Sequence, residues 1–113
     1  MMNREILAII PARGGSKGIK HKNIISVGGK PLIQYSIEAA KNSKYLTRAL
    51  VNSEDTNILE FAEKCGIEAV RRPEELAQDD TPMKDVICNQ LERLNREEGY
   101  VPDIIVLLQP TSH

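Results

Sequence analysis

Tryptophan is absent from the 113 residues, phenylalanine occurs once (Phe61) and tyrosine three times (Tyr35, Tyr45, Tyr100). None of these rings lies in the most basic stretch of the chain, so the stacking platforms of a single-strand nucleic-acid binder are missing and no nucleic-acid partner is expected. Long apolar runs are missing too. The longest, Ile104 to Leu108, falls far short of the roughly 20 residues needed to cross a bilayer, so no membrane partner is expected. The polar start Met-Met-Asn-Arg-Glu is not a secretory signal, which reads as a cytoplasmic protein. The two cysteines, Cys65 and Cys88, lack CxxC spacing and are expected as buried helix residues, while two histidines make no metal cluster. The formal net charge of -1 points to no partner by itself. With 41% hydrophobic and 27% charged residues, the chain has the composition of one ordinary globular domain.

One further absence is local. Between Glu5 and Glu38 there is no acidic side chain, whereas Arg13, Lys17, Lys20, Lys22 and Lys30 supply five cations. Within that interval the stretch "PARGGSKGIKHKN", Pro11 to Asn23, follows the apolar run Ile6 to Ile10. Gly14, Gly15 and Gly18 let the backbone turn tightly and bring amides close to an anion, and Ser16 adds a hydroxyl. Such a loop suits a polyphosphate, although a solvated turn has the same composition. The Walker pattern fails because Lys30 is followed by Pro31, and the dinucleotide pattern GxGxxG fails because Gly14 and Gly15 are adjacent.

Short apolar runs alternate with segments of helical period, the signature of βαβ units and a parallel sheet. Strands are expected at Ile6–Ile10, Ala49–Asn52, Glu68–Arg71 and Ile104–Leu108, each covered on both faces. The first helix is expected from Pro31 to about Asn42, with Leu32, Ile33, Ile37 and Ala40 inward. The second should open at Ser53 and stop at Gly66, with Ile58, Leu59, Ala62 and Cys65 on one side. The third should take Thr81 as its N-cap, bury Val86, Ile87, Leu91 and Leu94, and end near Gly99. The expected fold is α/β, a Rossmann-like doubly wound, mainly parallel sheet with helices on both faces. Such sheets bind ligands beyond the carboxyl ends of their strands, where strand order reverses.

"IIPARGGSKGIKHKNI", "GGKPLI", "RRPEELAQDDTP" and "LLQPTS" together resemble, in order and spacing, the CMP-N-acylneuraminate synthetases, the cytidylyltransferases that activate sialic acids and related nonulosonates. The resemblance spans nearly the whole chain. It implies the nucleotide-diphospho-sugar transferase type of fold, with residues 1–113 the nucleotide-binding N-terminal portion of one domain whose C-terminal half lies beyond His113. It also implies a reaction in which the anomeric hydroxyl of a nonulosonic acid attacks the α-phosphate of CTP and pyrophosphate leaves.

By the same resemblance Arg13 and Lys22 are the catalytic pair on the triphosphate, while Gly14, Gly15, Ser16 and Lys17 cradle the phosphates. Asn23 binds the nucleotide beside them. Arg72 approaches the cytosine unless it merely solvates a strand end, and Gln109 lines the site unless it caps a loop ahead of Pro110. Thr81 keeps a hydroxyl nearby, which matters because Met83 stands where the family often has a base-contacting serine. The cofactor implied is Mg2+, with ligands expected beyond residue 113, so this segment alone is expected to be inactive. Asp79 and Asp80 suit the positive start of the third helix better than a metal. The full-length parent is expected to be a homodimer, and the strand Ile104–Leu108 to present an open edge. Two alternatives stand beside this reading, a 3-deoxy-octulosonate cytidylyltransferase and a non-catalytic nucleotide-binding module.

Overall fold

A computed structural model describes residues 4–16, 19–20, 26–27 and 30–110, with the backbone alone between 15 and 31. In chain order the strands are β1 Ile6–Pro11, β2 Gly15–Ser16, β3 Ile19–Lys20, β4 Ser26–Val27, β5 Lys30–Pro31, β6 Arg48–Ser53, β7 Glu68–Arg71 and β8 Ile104–Leu107. The helices are α1 Leu32–Asn42, α2 Thr56–Lys64 and α3 Met83–Glu98, with a 3-10 turn at Glu74–Leu76.

The sheet that organises the molecule has the order β7-β6-β1-β8, all parallel. In register, Ile9 faces Leu50 on one side and Leu107 on the other. Leu7, Ala8, Ile9 and Ile10 are completely buried. A parallel strand flanked on both edges and covered on both faces has no position for a polar side chain, so a continuous apolar run is what β1 requires.

Successive side chains on a strand point to opposite faces. On one face Ile10, Ala12 and Val51 pack against Ile33, Ile37 and Ala40 of α1 and Ile58 and Ala62 of α2. On the other, Leu7, Ile9 and Leu50 pack against Leu94 of α3, with Ile87 and Leu91 partly buried beside them. Each fully buried isoleucine or leucine contributes about 1.5–3 kcal/mol. Helices therefore cover both faces, as the doubly wound reading requires. Strand order reverses between β1 and β8, which places the end of β1 at the switch point.

Several boundaries differ from expectation for local reasons. Ser53 belongs to β6, and Asp55 caps α2 through Oδ1, which accepts from the amides of Asn57 and Ile58. Pro31 pairs with Ser26 in β5, so α1 begins one residue later. Thr81 does not cap α3: its hydroxyl accepts from the Gln78 amide at 3.0 Å, and Pro82 holds the cap position with no side-chain bond. Asp79 is not a helix-start charge, since it pairs with Arg13 at 2.7 Å. Cys88 is exposed and Cys65, at the C-cap of α2, is half-buried, because the buried stripe of α3 runs through positions 86, 90 and 94 and turns 88 outward. The helix stops at Gly66 and Gly99 are as expected, with φ of 80° and 67°. The basic stretch contains two short antiparallel pairings, β2 with β3 and β4 with β5, rather than loop alone. β7 and β8 are the sheet's edges; β8 leaves Ile104 and Ile105 exposed, so neither is covered as a central strand would be.

At the opposite end of the sheet Arg48 holds three elements together. Its guanidinium donates to Glu68 of β7 and Glu98 of α3 at 2.8–3.1 Å, and it lies 4.6 Å from the Tyr100 ring centroid. These carboxylates hold the guanidinium above the ordinary arginine value. Hydrogen bonding to Arg48 in turn lowers the Glu98 carboxyl below its ordinary value. A depressed folded-state pKa means stability that is present above the unfolded carboxylate pKa of about 4.3 and lost as pH falls through the lower, folded value. Glu98→Gln is therefore expected to lower the unfolding midpoint at neutral pH and to match the wild type in strong acid, as measured by denaturant titration across pH.

Candidate functional site

Beyond the carboxyl ends of β1, β6 and β7 the chain gathers its unusual polar groups. The ladder continues past the strands, since the Ala12 amide donates to the Asn52 carbonyl and the Arg72 amide to the Ser53 carbonyl. Arg13 is thereby fixed two residues beyond β1 and Arg72 one residue beyond β7.

Arg13 reaches the segment after the 3-10 turn, where Nη1 donates to Asp79 Oδ1 at 2.7 Å and to the Ala77 carbonyl at 3.3 Å. The pair is open to solvent, with 26% of the Arg13 side chain and 49% of Asp79 exposed. An ion pair so exposed contributes up to about 1 kcal/mol, which a ligand carrying several negative charges can replace. The neighbouring Gly14 amide donates to Glu54 Oε2 at 3.1 Å. Glu54 Oε1 is buried without a hydrogen-bond partner among the described residues. Carboxylates of the chain itself thus sit on donors suited to an anion.

Arg72 is 3% exposed, which overturns the option of a solvated strand end. Its Nε donates to Asn52 Oδ1 at 2.6 Å, Nη2 to the Asn52 carbonyl at 3.2 Å and Nη1 to the Leu76 carbonyl at 3.4 Å. Asn52 in turn donates from Nδ2 to Gln90 Oε1 at 2.6 Å. Burial pushes the Arg72 guanidinium below the ordinary arginine value; the Glu54 charge opposes that shift and Arg13 adds to it. Both arginines therefore feel the same small region of the structure.

Of the residues named from sequence, Arg13, Gly14 and Arg72 come together here. Thr81 is tied to the turn at Gln78, two residues beyond Asp79. Gln109 is exposed and follows β8 across the switch point. Gly15 and Ser16 enter only as backbone in β2, and Lys17, Lys22 and Asn23 lie outside the described residues. Asn52, Glu54 and Gln90 were not anticipated. Two of them carried a signal: Asn52 has the strand parity of Leu50, which faces α3, and Gln90 lies four residues from both Val86 and Leu94. Among the described residues no group of three His, Cys, Asp or Glu side chains could hold a metal ion.

The family model for cytidylyltransferases matches residues 7–112. The chain belongs to the cytidylyltransferase family. The N-acylneuraminate cytidylyltransferase of Escherichia coli O18:K1:H7 is 39% identical over 98% of this chain and 25% of its own length. The pseudaminic acid cytidylyltransferase of Campylobacter jejuni is 42% identical over 94% of this chain and 46% of its own length. The chain thus spans between a quarter and a half of these curated relatives. In fold it is similar to a CMP:2-keto-3-deoxy-manno-octonic acid synthetase complexed with CTP, with a TM-score of 0.73 and 24% identity over 94% of this chain and 40% of that one. The nucleotide-diphospho-sugar transferase type of fold is therefore established for this cytidylyltransferase chain, and no helix among its described residues is long and apolar enough to cross a membrane.

Gly14 has no room for a side chain. A Cβ there would lie 1.8 Å from Asp55 Oδ2 and 2.5 Å from Asp55 Cβ, so the whole residue that caps α2 would have to move. Losing that cap costs about 1 kcal/mol, and the melting temperature of Gly14→Ala is expected to fall by at least roughly 4–8 °C. Thermal unfolding followed by circular dichroism checks this, and an unchanged midpoint would rule out the packing described.

Proposed function

We propose that this chain is the CTP-binding portion of a cytidylyltransferase that activates a nonulosonic acid of the sialic type, converting CTP and an N-acylneuraminate to the CMP-sugar and pyrophosphate. The observation that carries the reading is the convergence of Arg13, the Gly14 amide and the buried Arg72 beyond the strand ends, within a match to the cytidylyltransferase family over residues 7–112.

In the reaction the anomeric oxygen forms a bond to the α-phosphorus, the bond from that phosphorus to the bridging oxygen of pyrophosphate breaks, and the hydroxyl proton is released. Arg13 exchanges Asp79 for phosphate oxygens and stabilises the charge that builds on them, with Lys22 assigned the same task from the motif. The Gly14 amide, with Gly15, Ser16, Lys17 and Asn23, holds the rest of the nucleotide, and Arg72, Thr81 and Gln109 surround its base and sugar. Arg72 presents only donors, which suit the O2 and N3 acceptors of cytosine, whereas uracil carries a hydrogen on N3. The reading includes Mg2+ as the divalent ion and a homodimeric full-length protein, both supported by the motif resemblance, and a cytoplasmic location, supported by the polar start Met-Met-Asn-Arg-Glu.

Calorimetric titration should give CTP binding that Arg13→Ala weakens by roughly tenfold or more, as expected for a charged hydrogen bond worth about 1.5–3 kcal/mol. The protein as its gene encodes it should release pyrophosphate from CTP when given Mg2+ and N-acetylneuraminate, while the 113 residues alone should bind CTP without turnover. Absence of release with every nonulosonate tried would refute the reading. Release with a 3-deoxy-octulosonate alone would favour that sugar instead.

A further inference from the structure

The face of the sheet covered by α3 carries a line of polar groups where apolar ones would pack. Leu50, Asn52 and, one strand over, Val70 and Arg72 share that face by strand parity. Gln90 meets them from the buried stripe of α3. Asn52 is 0% exposed, Gln90 1% and Arg72 3%.

The polarity of this line leaves one arrangement. Arg72 has only donors, so Asn52 must turn Oδ1 toward Nε. That orientation aims the Asn52 amide hydrogens at α3, where only an acceptor satisfies them, and Gln90 Oε1 is there at 2.6 Å. Among the described residues no carboxylate forms an ion pair with Arg72. Among the described residues its hydrogen bonds all go to uncharged oxygens, and the Glu54 charge acts on it without a direct ion pair. Two buried amides that served only one another could be exchanged for an apolar pair at little cost, so their contribution lies in what they do to the guanidinium.

We propose that Asn52 and Gln90 are positioning residues for the nucleotide site: Gln90 fixes the Asn52 amide, and Asn52 fixes Arg72 so that its remaining donors face the ligand. The proposal rests on the reading above that Arg72 meets the base of CTP. Recognition of the base is then set partly by α3, a helix that reaches the Arg72 side chain through Gln90 and Asn52 and holds the preceding Arg71 carbonyl through Arg93.

Two measurements on the full 113-residue chain test it. The Arg72 Nε–H signal in 15N NMR reports the bond to Asn52 whether or not CTP binds, and in Gln90→Leu its exchange with water is expected to quicken. In calorimetry Gln90→Leu is expected to weaken CTP binding roughly tenfold, about 1.4 kcal/mol, and to have no further effect once Arg72 is replaced by alanine. Equal losses in both backgrounds would mean a merely structural role and overturn the proposal, as would unchanged exchange. If Gln90→Leu does not fold, Gln90→Met carries the same cycle. A wild-type chain that binds no CTP refutes the function proposed above, and the exchange rate then decides the positioning role by itself.

Discussion

The pairing of β1 with two parallel neighbours is the constraint on which the rest depends. Because β6 lies on one side and β8 on the other, β1 has no free edge, and α1, α2 and α3 leave it no free face. Its chain can leave only from the carboxyl end, at the point where strand order reverses. Ala12 is still held by the Asn52 carbonyl, so Arg13 and Gly14 leave the sheet in a fixed direction. A loop of glycines and cations on a frayed edge strand would have no such bearing.

The same ladder supplies the polar interior of the site. Asn52 accepts the Ala12 amide and an Arg72 hydrogen on its carbonyl, while its side chain links Arg72 to Gln90. One residue thus joins the end of β1, the end of β7 and the middle of α3. Burying a guanidinium is costly; burial pushes Arg72 below its ordinary value, and the nearby Glu54 charge opposes that shift. Nearby, Glu54 accepts from the Gly14 amide and Asp79 pairs with Arg13, so these donors are met by the chain's own carboxylates.

Much of the fold was legible from periodicity. The four main strands and three helices lie where apolar runs and helical spacing place them, and Leu32, Ile33, Ile37 and Ala40 are the buried face of α1. Errors gathered at caps and polar positions. Thr81 looked like an N-cap because threonine before proline usually is one, yet a tight turn took its hydroxyl. Asp79 looked like a helix-start charge and instead met an arginine 66 positions away. Gln90 was passed over in a stripe of apolar residues, since a buried amide is acceptable only when a partner waits, and the partner lies on another element.

By itself the sequence determined the alternation of strands and helices, the apolar strand that must be central, and a glycine-rich cationic segment directly after it. Those are properties of short windows, in which side-chain period and local charge are already complete. The tertiary structure decided which edge each strand occupies, that Arg72 is buried rather than solvated, and that Asn52 and Gln90 hold it. The reason is that a hydrogen bond between residues 20 or 38 positions apart has no local signature; it exists only after parallel pairing has brought the ends of β6 and β7 level and laid α3 across them.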